Sequence, residues 1–353
     1  MTDRPHYGRY LRIDELLSLQ RPPGADGNAR ELLHHDELVF IAVHQVHELW
    51  FRLILHELAH ARDILGRQGA FAGRPAVAEE DVPRAVDALD RTVTILQTLP
   101  DAFGVLETMA PTSFLAFRDA LVPASGFQSV QFRELEILLG LRDEMRPAVG
   151  YQDALDPTER ERVNRRLGEM TLAEALYDWL RRTPIELAFP GFVDAYVRAF
   201  DAYVDRQIAL QRQNVHLTET QREDAARKLA SQKDQCRAFL TGHDDARNRA
   251  HASFLFIATY RDEPLLRWPY QLVDKVAELE EHLRLWRFRH VRMVERMIGV
   301  RVGTGGSPGV DYLDRAVTMA RIFGGVLEAR TFLLEPSLLP PLPNPDIVRF
   351  AFR

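Results

Sequence analysis

Two stretches of the chain carry histidines on stripes that are otherwise apolar. From residue 272 to 297, Leu272, Val276, Leu279, Leu283, Trp286, His290, Met293 and Met297 recur at alternating spacings of four and three. On a helix this spacing draws one continuous stripe, apolar everywhere except at His290. Burial strips water from both ring nitrogens of that imidazole, so each needs a partner. A hydrogen-bonded core histidine satisfies the pattern. So does an axial ligand to a metal or to haem iron, a role that suits a neutral imidazole nitrogen.

The same oddity recurs nearer the N-terminus. Phe40, His44, His47, Phe51, Ile54 and Leu58 form one stripe, and Val39, Val43, Val46, Trp50 and Leu53 form an apolar neighbour to it. A helix apolar around most of its circumference is buried, which puts His44 and His47 inside the protein. Phe40 lies one turn before His44, so ring and imidazole can share a pocket. A satisfied core pair is the simpler reading of the spacing, and a functional pair is the alternative.

Three further patterns offer chemistry. HELAH (56–60) matches the H-E-x-x-H arrangement in which His56 and His60 would hold zinc and Glu57 would activate its water; no third-ligand pattern follows it. GTGGSPG (303–309) follows a helix and lacks the Gly-Lys-Ser/Thr ending of a nucleotide-phosphate loop. Its backbone N–H groups and the Thr304 hydroxyl would suit a small zwitterion or carboxylate, and a plain helix connector is the simpler alternative. Arg284, Arg287, Arg289, Arg292 and Arg296 spread over one helix, where Glu278, Glu280, Glu281 and Glu295 balance them as a solvated face.

The elements that must position these groups are helices. Strand signals are scarce, and no Asn-Gly or Asp-Gly turn joins alternating runs. The pattern predicts a polar arm (1–30), a long apolar helix over 36–67, a Gly/Pro/Ala loop (69–84) and a helix over 85–99. A connector and short helix occupy 100–122, a break falls at 123–129, and helices cover 130–141 and 158–182. A polar helical stretch runs over 191–250, with the composition of a solvated or partner-facing hairpin and not of a core. Helices over 269–299 and 310–330 flank the glycine-rich loop, and a proline-rich tail (334–353) lies extended over the surface. The expected fold is all-α: a single-domain helical bundle (1–353) with the polar helical insertion attached.

Composition narrows the class. The 353 residues are 46% hydrophobic and 27% charged, as in an ordinary soluble globular protein with room for a large core. No run of about 18 uncharged apolar residues exists, so no membrane association is expected. A net charge of −6 gives no basic field for nucleic acid. The single cysteine, Cys236, allows no internal disulfide, and the start of the chain shows no basic-then-apolar leader, which together suggest the cytoplasm.

Taken together, five blocks in order resemble the tryptophan 2,3-dioxygenase family. They are YGRYLRIDELLSLQ (7–20), HDELVFIAVHQVHELWFRLILHEL (35–58), FRDALVPASGFQSVQFRELEILLG (117–140), YRDEPLLRWPYQL (260–272) and LWRFRHVRMVERMIGVRVGTGGSPGVDYL (285–313). The resemblance absorbs HEL of HELAH into the family helix. It implies an all-helical homotetramer with one non-covalent haem b per subunit, ferrous when active, lying between long helices. It further implies oxidative cleavage of the indole C2–C3 bond of L-tryptophan, or of a close indole amino acid, by O2 to N-formyl-L-kynurenine, a catabolic step on the kynurenine pathway.

Carried over residue by residue, His290 resembles the haem iron ligand and His44 the distal, catalytic histidine beside the indole. Phe40, with Ile41, Ala42 and Val43 around it, and Phe114 resemble the indole pocket. Arg118 resembles the clamp on the substrate carboxylate, and Thr304 and Ser125 the contacts to the amino-acid end. Tyr7, Tyr10 and Leu11 resemble an arm that a neighbouring subunit contributes. The 191–250 stretch fits an insertion found in longer members.

Four positions depart from the family pattern. Phe114 stands where short bacterial members often have tyrosine, His47 replaces a small polar residue, Pro308 replaces a serine, and Ala124 precedes Ser125 where serine is common. These departures bear on substrate choice. The alternative outcome they keep in view is a haem-dependent monooxygenase converting a tryptophan derivative to a 2-oxindole.

Overall fold

The longest apolar stripes become the longest helices. In the computed structural model, which describes all residues except 1–5, 23, 25–27, 68, 72–73, 77–80, 142–150, 306–308, 320 and 350–353, the N-terminal arm forms two short helices, α1 (Tyr7–Tyr10) and α2 (Ile13–Ser18). Neither buries a residue. The 30-residue α3 (Glu37–Gly66) follows, and it buries His47, Phe51, Ile54 and Leu58 of the predicted stripe, with Ala61 and Ile64 beyond it. By length and mean hydropathy α3 is long and apolar enough to cross a membrane; here it packs along other helices of the protein.

The loop after α3 contains a short antiparallel ribbon, β1 (Gly69–Phe71) with β2 (Arg74–Ala76), paired in register Gly69 with Ala76 and Phe71 with Arg74. The sequence signals no strand there, and at three residues each these strands are too short for an alternation to show. Next, α4 (Asp81–Leu106) runs seven residues past its expected end at 99. Pro100 removes one backbone donor and costs about 3 kcal/mol in a helix interior. Buried Leu96, Leu99, Phe103 and Leu106 on one face outweigh that cost and carry the helix through.

A short α5 (Pro111–Arg118) begins at a proline and leads into a 3-10 turn at Asp119–Leu121. The helix α6 (Val130–Leu139) is capped by Ser129 at its start and by Gly140 at φ +114° at its end, a left-handed backbone that glycine adopts freely. The single helix expected over 158–182 is two, α7 (Pro157–Leu167) and α8 (Leu172–Arg181). The break falls where Thr171 and Glu174 form a capping box that starts a new helix. A one-turn α9 (Ile185–Ala188) then leads into the polar stretch.

That stretch departs from expectation. It forms α10 (Phe192–Arg212), α11 (Glu219–Thr241) and the beginning of α12 (Asp245–Thr259). It is not wholly solvated: Phe192, Tyr196, Phe200, Val204, Cys236, Phe239 and Leu240 are buried in the main core. One narrow apolar face is hidden there among many charges, and overall composition masks it.

The 32-residue α13 (Arg267–Ile298) buries its predicted stripe from Leu272 to Met297 except at His290, which is half-buried. The helix expected over 310–330 divides into α14 (Val310–Met319) and α15 (Gly324–Ala329). The proline-rich tail crosses the surface in two 3-10 turns, held where the Tyr260 hydroxyl donates to the Pro340 carbonyl (2.7 Å) and the Asn344 amide to that of Ala188 (3.2 Å). Both α3 and α13 pack along α4 and not closely along each other, and this arrangement positions the site.

Candidate functional site: an imidazole-lined aromatic pocket

On α3 the two histidines repeat one local arrangement. His44 Nδ1 lies 2.7 Å from the Phe40 carbonyl, and His47 Nδ1 lies 2.8 Å from that of Val43. A carbonyl only accepts, so Nδ1 carries the proton in each ring and Nε2 keeps its lone pair in the neutral form. Burial lowers both pKa values. His44 is deep among protein atoms, yet its ring is open to solvent, which means that it lines a cavity. His47 is 6% exposed.

The second wall comes from α13. His290 is half-buried, and its pKa is lowered to about 4, first by burial and then by His44 and His47. The Trp286 ring lies parallel to it, within 4°, at 5.6 Å between centroids. Phe103 of α4 stands between the two histidine helices, 4.7 Å from the His47 ring and 5.6 Å from the His290 ring. The helix that runs through Pro100 is therefore what delivers this ring. Trp286 also meets Phe51 (5.6 Å) and Phe132 (5.1 Å), so the gap between α3 and α13 is floored by aromatic faces. Two polar atoms in it are buried without a hydrogen-bond partner: His47 Nε2 and Trp286 Nε1.

At the other end, α5 closes the pocket. Phe40 lies 5.7 Å from both Phe114 and Phe117, and those two rings are 5.4 Å apart. One turn after Phe114, Arg118 Nη2 donates to the Val302 carbonyl (2.6 Å). The glycine-rich loop then folds onto the break after α5. Thr304 Oγ1 donates to the Ala124 carbonyl (2.5 Å), and a Cβ at Gly305 would come within 2.5 Å of the Ser125 Cβ. Only a glycine permits that approach. Arg118, Ser125 and Thr304 thus meet at one place although the loop is some 180 residues from α5.

Other candidates do not join the site. Ile41 and Ala42 are half-buried and turn roughly 100° and 160° away from Phe40 by helical geometry, and Val43 packs in the core. Tyr7, Tyr10 and Leu11 are 76%, 78% and 44% exposed and lie on the surface of this chain. Pro308 falls outside the described residues. His56 and His60 are exposed while Glu57 is buried and paired with Arg91 (2.7 Å), and no metal-binding cluster occurs among the described residues, so the zinc arrangement is not built.

The charged face of α13 is more deeply engaged than its sequence suggests. Arg289 makes a two-pronged pair with Glu107 (2.7 and 2.8 Å). Arg287 is buried and bonds Glu136 (2.9 Å), which also takes Arg133 (2.8 Å). Glu280 is 2% exposed and accepts the backbone N–H groups of Ile322 and Phe323 at the entry to α15. Spacing on one helix cannot show such partners, because they sit on other elements.

Neutral, buried imidazoles make stability depend on pH with a definite sign. In the unfolded chain histidine titrates near 6.5, while folded His290 titrates near 4. Acidification through 6.5 protonates the unfolded chain first, so stability is complete above that pH and is lost progressively down to about 4. His290 alone accounts for a loss on the order of 3 kcal/mol. Urea midpoints of the haem-free protein from pH 7 to 4 should fall more steeply for the wild type than for His290→Gln; equal slopes would contradict a neutral buried ring.

Fold and site together give an all-α frame in which neutral imidazoles stand among aromatic faces, with an arginine and hydroxyls at one end. The chain belongs to the tryptophan 2,3-dioxygenase family, whose sequence model matches residues 2–333, and it is thus an oxidoreductase of that type. It is 39% identical to tryptophan 2,3-dioxygenase 2 of Ralstonia nicotianae, over 98% of this chain and 97% of that protein. The tryptophan 2,3-dioxygenase of Sorangium cellulosum is 36% identical over 97% of this chain and 86% of its own length, and that of Dictyostelium discoideum is 32% identical over 96% and 86%.

Proposed function

We propose that each subunit binds one haem b in the gap between α3 and α13 and with it opens the indole ring of L-tryptophan, both atoms of O2 entering N-formyl-L-kynurenine. The observation that carries this reading is a pair of deep imidazoles, His44 and His290, that face a cavity instead of packed protein. The residues fit a haem: aromatic faces for a flat macrocycle, a neutral imidazole for its iron, and buried polar atoms with no protein partner. Bound ferrous haem supplies the activation of O2, which no side chain here can provide.

The chain's own residues do the rest. His290 would hold the iron. His44, whose Nε2 lone pair is free, accepts the indole N–H, and Phe40 and Phe114 wall the ring. Arg118 spends one N–H on Val302 and keeps others for the substrate carboxylate, while Thr304 and Ser125 border the ammonium end. These contacts fix the indole in one orientation and exclude water, which is where positioning contributes to rate.

The exposed Tyr7, Tyr10 and Leu11 on helices that bury nothing support an arm covered by another copy, as a homotetramer would provide. A cytoplasmic location is consistent with the single buried thiol, Cys236.

A visible spectrum tests the reading. Purified protein should show a Soret band that shifts when L-tryptophan is added; colourless protein, or a band indifferent to L-tryptophan, would contradict it. His44→Ala should keep its haem and lose about tenfold in turnover, as expected for one hydrogen bond. Loss of haem from that variant would mean that the roles of His44 and His290 are exchanged.

A further inference from the structure

The end of α4 grips the histidine helix with two residues. Phe103 packs on the His290 ring at 5.6 Å and on the Trp286 ring at 5.9 Å. Glu107, one turn further on, donates its backbone N–H to the Phe103 carbonyl (2.8 Å), and its carboxylate accepts both prongs of Arg289 (2.7 and 2.8 Å). Residues four apart lie on one face of a helix, so ring and carboxylate meet α13 together. Arg296, two turns beyond Arg289, approaches the same carboxylate (4.0 Å).

This pair is placed to orient its neighbour. The Glu107 side chain is 10% exposed, and its bond to Arg289 holds the carboxyl below the usual carboxylate range, so it stays ionised. A two-pronged contact between guanidinium and carboxylate fixes direction as well as distance. Consecutive residues of a helix point about 100° apart, so tying Arg289 to α4 also sets the direction in which His290 projects. Phe103 and Trp286 then bracket the imidazole in that direction.

We propose that Glu107 is a positioning residue for the iron ligand: held by Arg289, it sets how α13 is rotated on α4 at the turn that carries His290, and so the angle at which the imidazole meets the iron. The inference rests on the haem reading above. Glu107 itself touches neither haem nor substrate; it acts through Arg289 and the backbone of α13.

The test uses the ferrous holoprotein. Resonance Raman reads the iron–imidazole stretching band, and transfer to excess apomyoglobin reads the rate of haem loss, for the wild type, Glu107→Gln, Arg289→Gln, the double variant and Asp274→Asn. In each single variant of the pair the band should shift and haem loss should be about tenfold faster, the low end for groups that orient a metal ligand. The double variant should be no worse than either single one, because all three break the same contact. Arg289, the more exposed partner, keeps the test available should Glu107→Gln fail to fold. Asp274→Asn breaks a pair with Arg330 (2.6 Å) on the same helix about four turns away, and should leave band and rate at wild-type values. A wild-type band and rate in the pair variants, additive effects in the double variant, or an equal change in Asp274→Asn overturns the proposal. Wild-type protein with no Soret band overturns the haem reading itself, a plainly distinct outcome.

Discussion

Replacing His290 with alanine is expected to strip the protein of haem and of turnover while leaving its helices intact. The side chain stands on α13 at the edge of a cavity, so its removal enlarges open space and does not unpack the core around Leu283 and Met293. Loss of a group that merely orients a metal ligand costs 10- to 100-fold, so loss of the ligand itself should cost more than about a hundredfold in haem retention. Circular dichroism should stay at the wild-type level, and added free imidazole should restore part of the Soret band. Normal haem content with full activity in this variant would remove the ligand assignment.

The next largest effect is expected at Arg118. Its guanidinium is anchored by the Val302 carbonyl at the mouth of the pocket, with planar donors left for a carboxylate. Truncation to alanine leaves that carboxylate unpaired at a cost of about 2–5 kcal/mol, or roughly 30- to several-thousand-fold in affinity for L-tryptophan. Indole itself, which has no carboxylate, should bind the variant and the wild type alike. Arg118→Lys should recover only part of the loss, because an ammonium keeps the charge and not the paired donors. Unchanged affinity of Arg118→Ala for L-tryptophan would show that the carboxylate is held elsewhere.

The fold was legible where one helix decides its own fate. The stripes through His44 and His290 recur at helical spacing, and α3 and α13 follow them almost to the residue. Misreadings arose where tertiary packing overrode a local preference. Pro100 reads as a helix end, yet Phe103 and Leu106 bury beyond it. The charged 191–250 stretch reads as solvated, yet Tyr196 and Phe200 reach the core through a single narrow face. Glu280 sits in a run of acids and is buried all the same, because backbone donors at Ile322 and Phe323, over 40 residues away, satisfy it.

The site divides in the same manner. Three imidazoles on two apolar stripes, His44, His47 and His290, could be singled out from spacing alone, although whether they serve packing or chemistry could not. Arg118, Ser125 and Thr304 carry no local sign of belonging together; only the resemblance to a family pointed to them. Their meeting depends on a glycine-rich loop returning to the end of α5, as the Thr304–Ala124 and Gly305–Ser125 approaches show. His47 was visible as an oddity, and its unpartnered nitrogen emerged only with the packing of Phe103 and Trp286 around it.

The most direct test of a haem pocket that cleaves the indole ring is the mass of the product formed under 18O2. Ferrous protein incubated with L-tryptophan should yield N-formyl-L-kynurenine bearing two heavy oxygen atoms. A product with a single heavy atom and the indole skeleton intact, or L-tryptophan recovered unchanged from haem-loaded protein, would contradict the account.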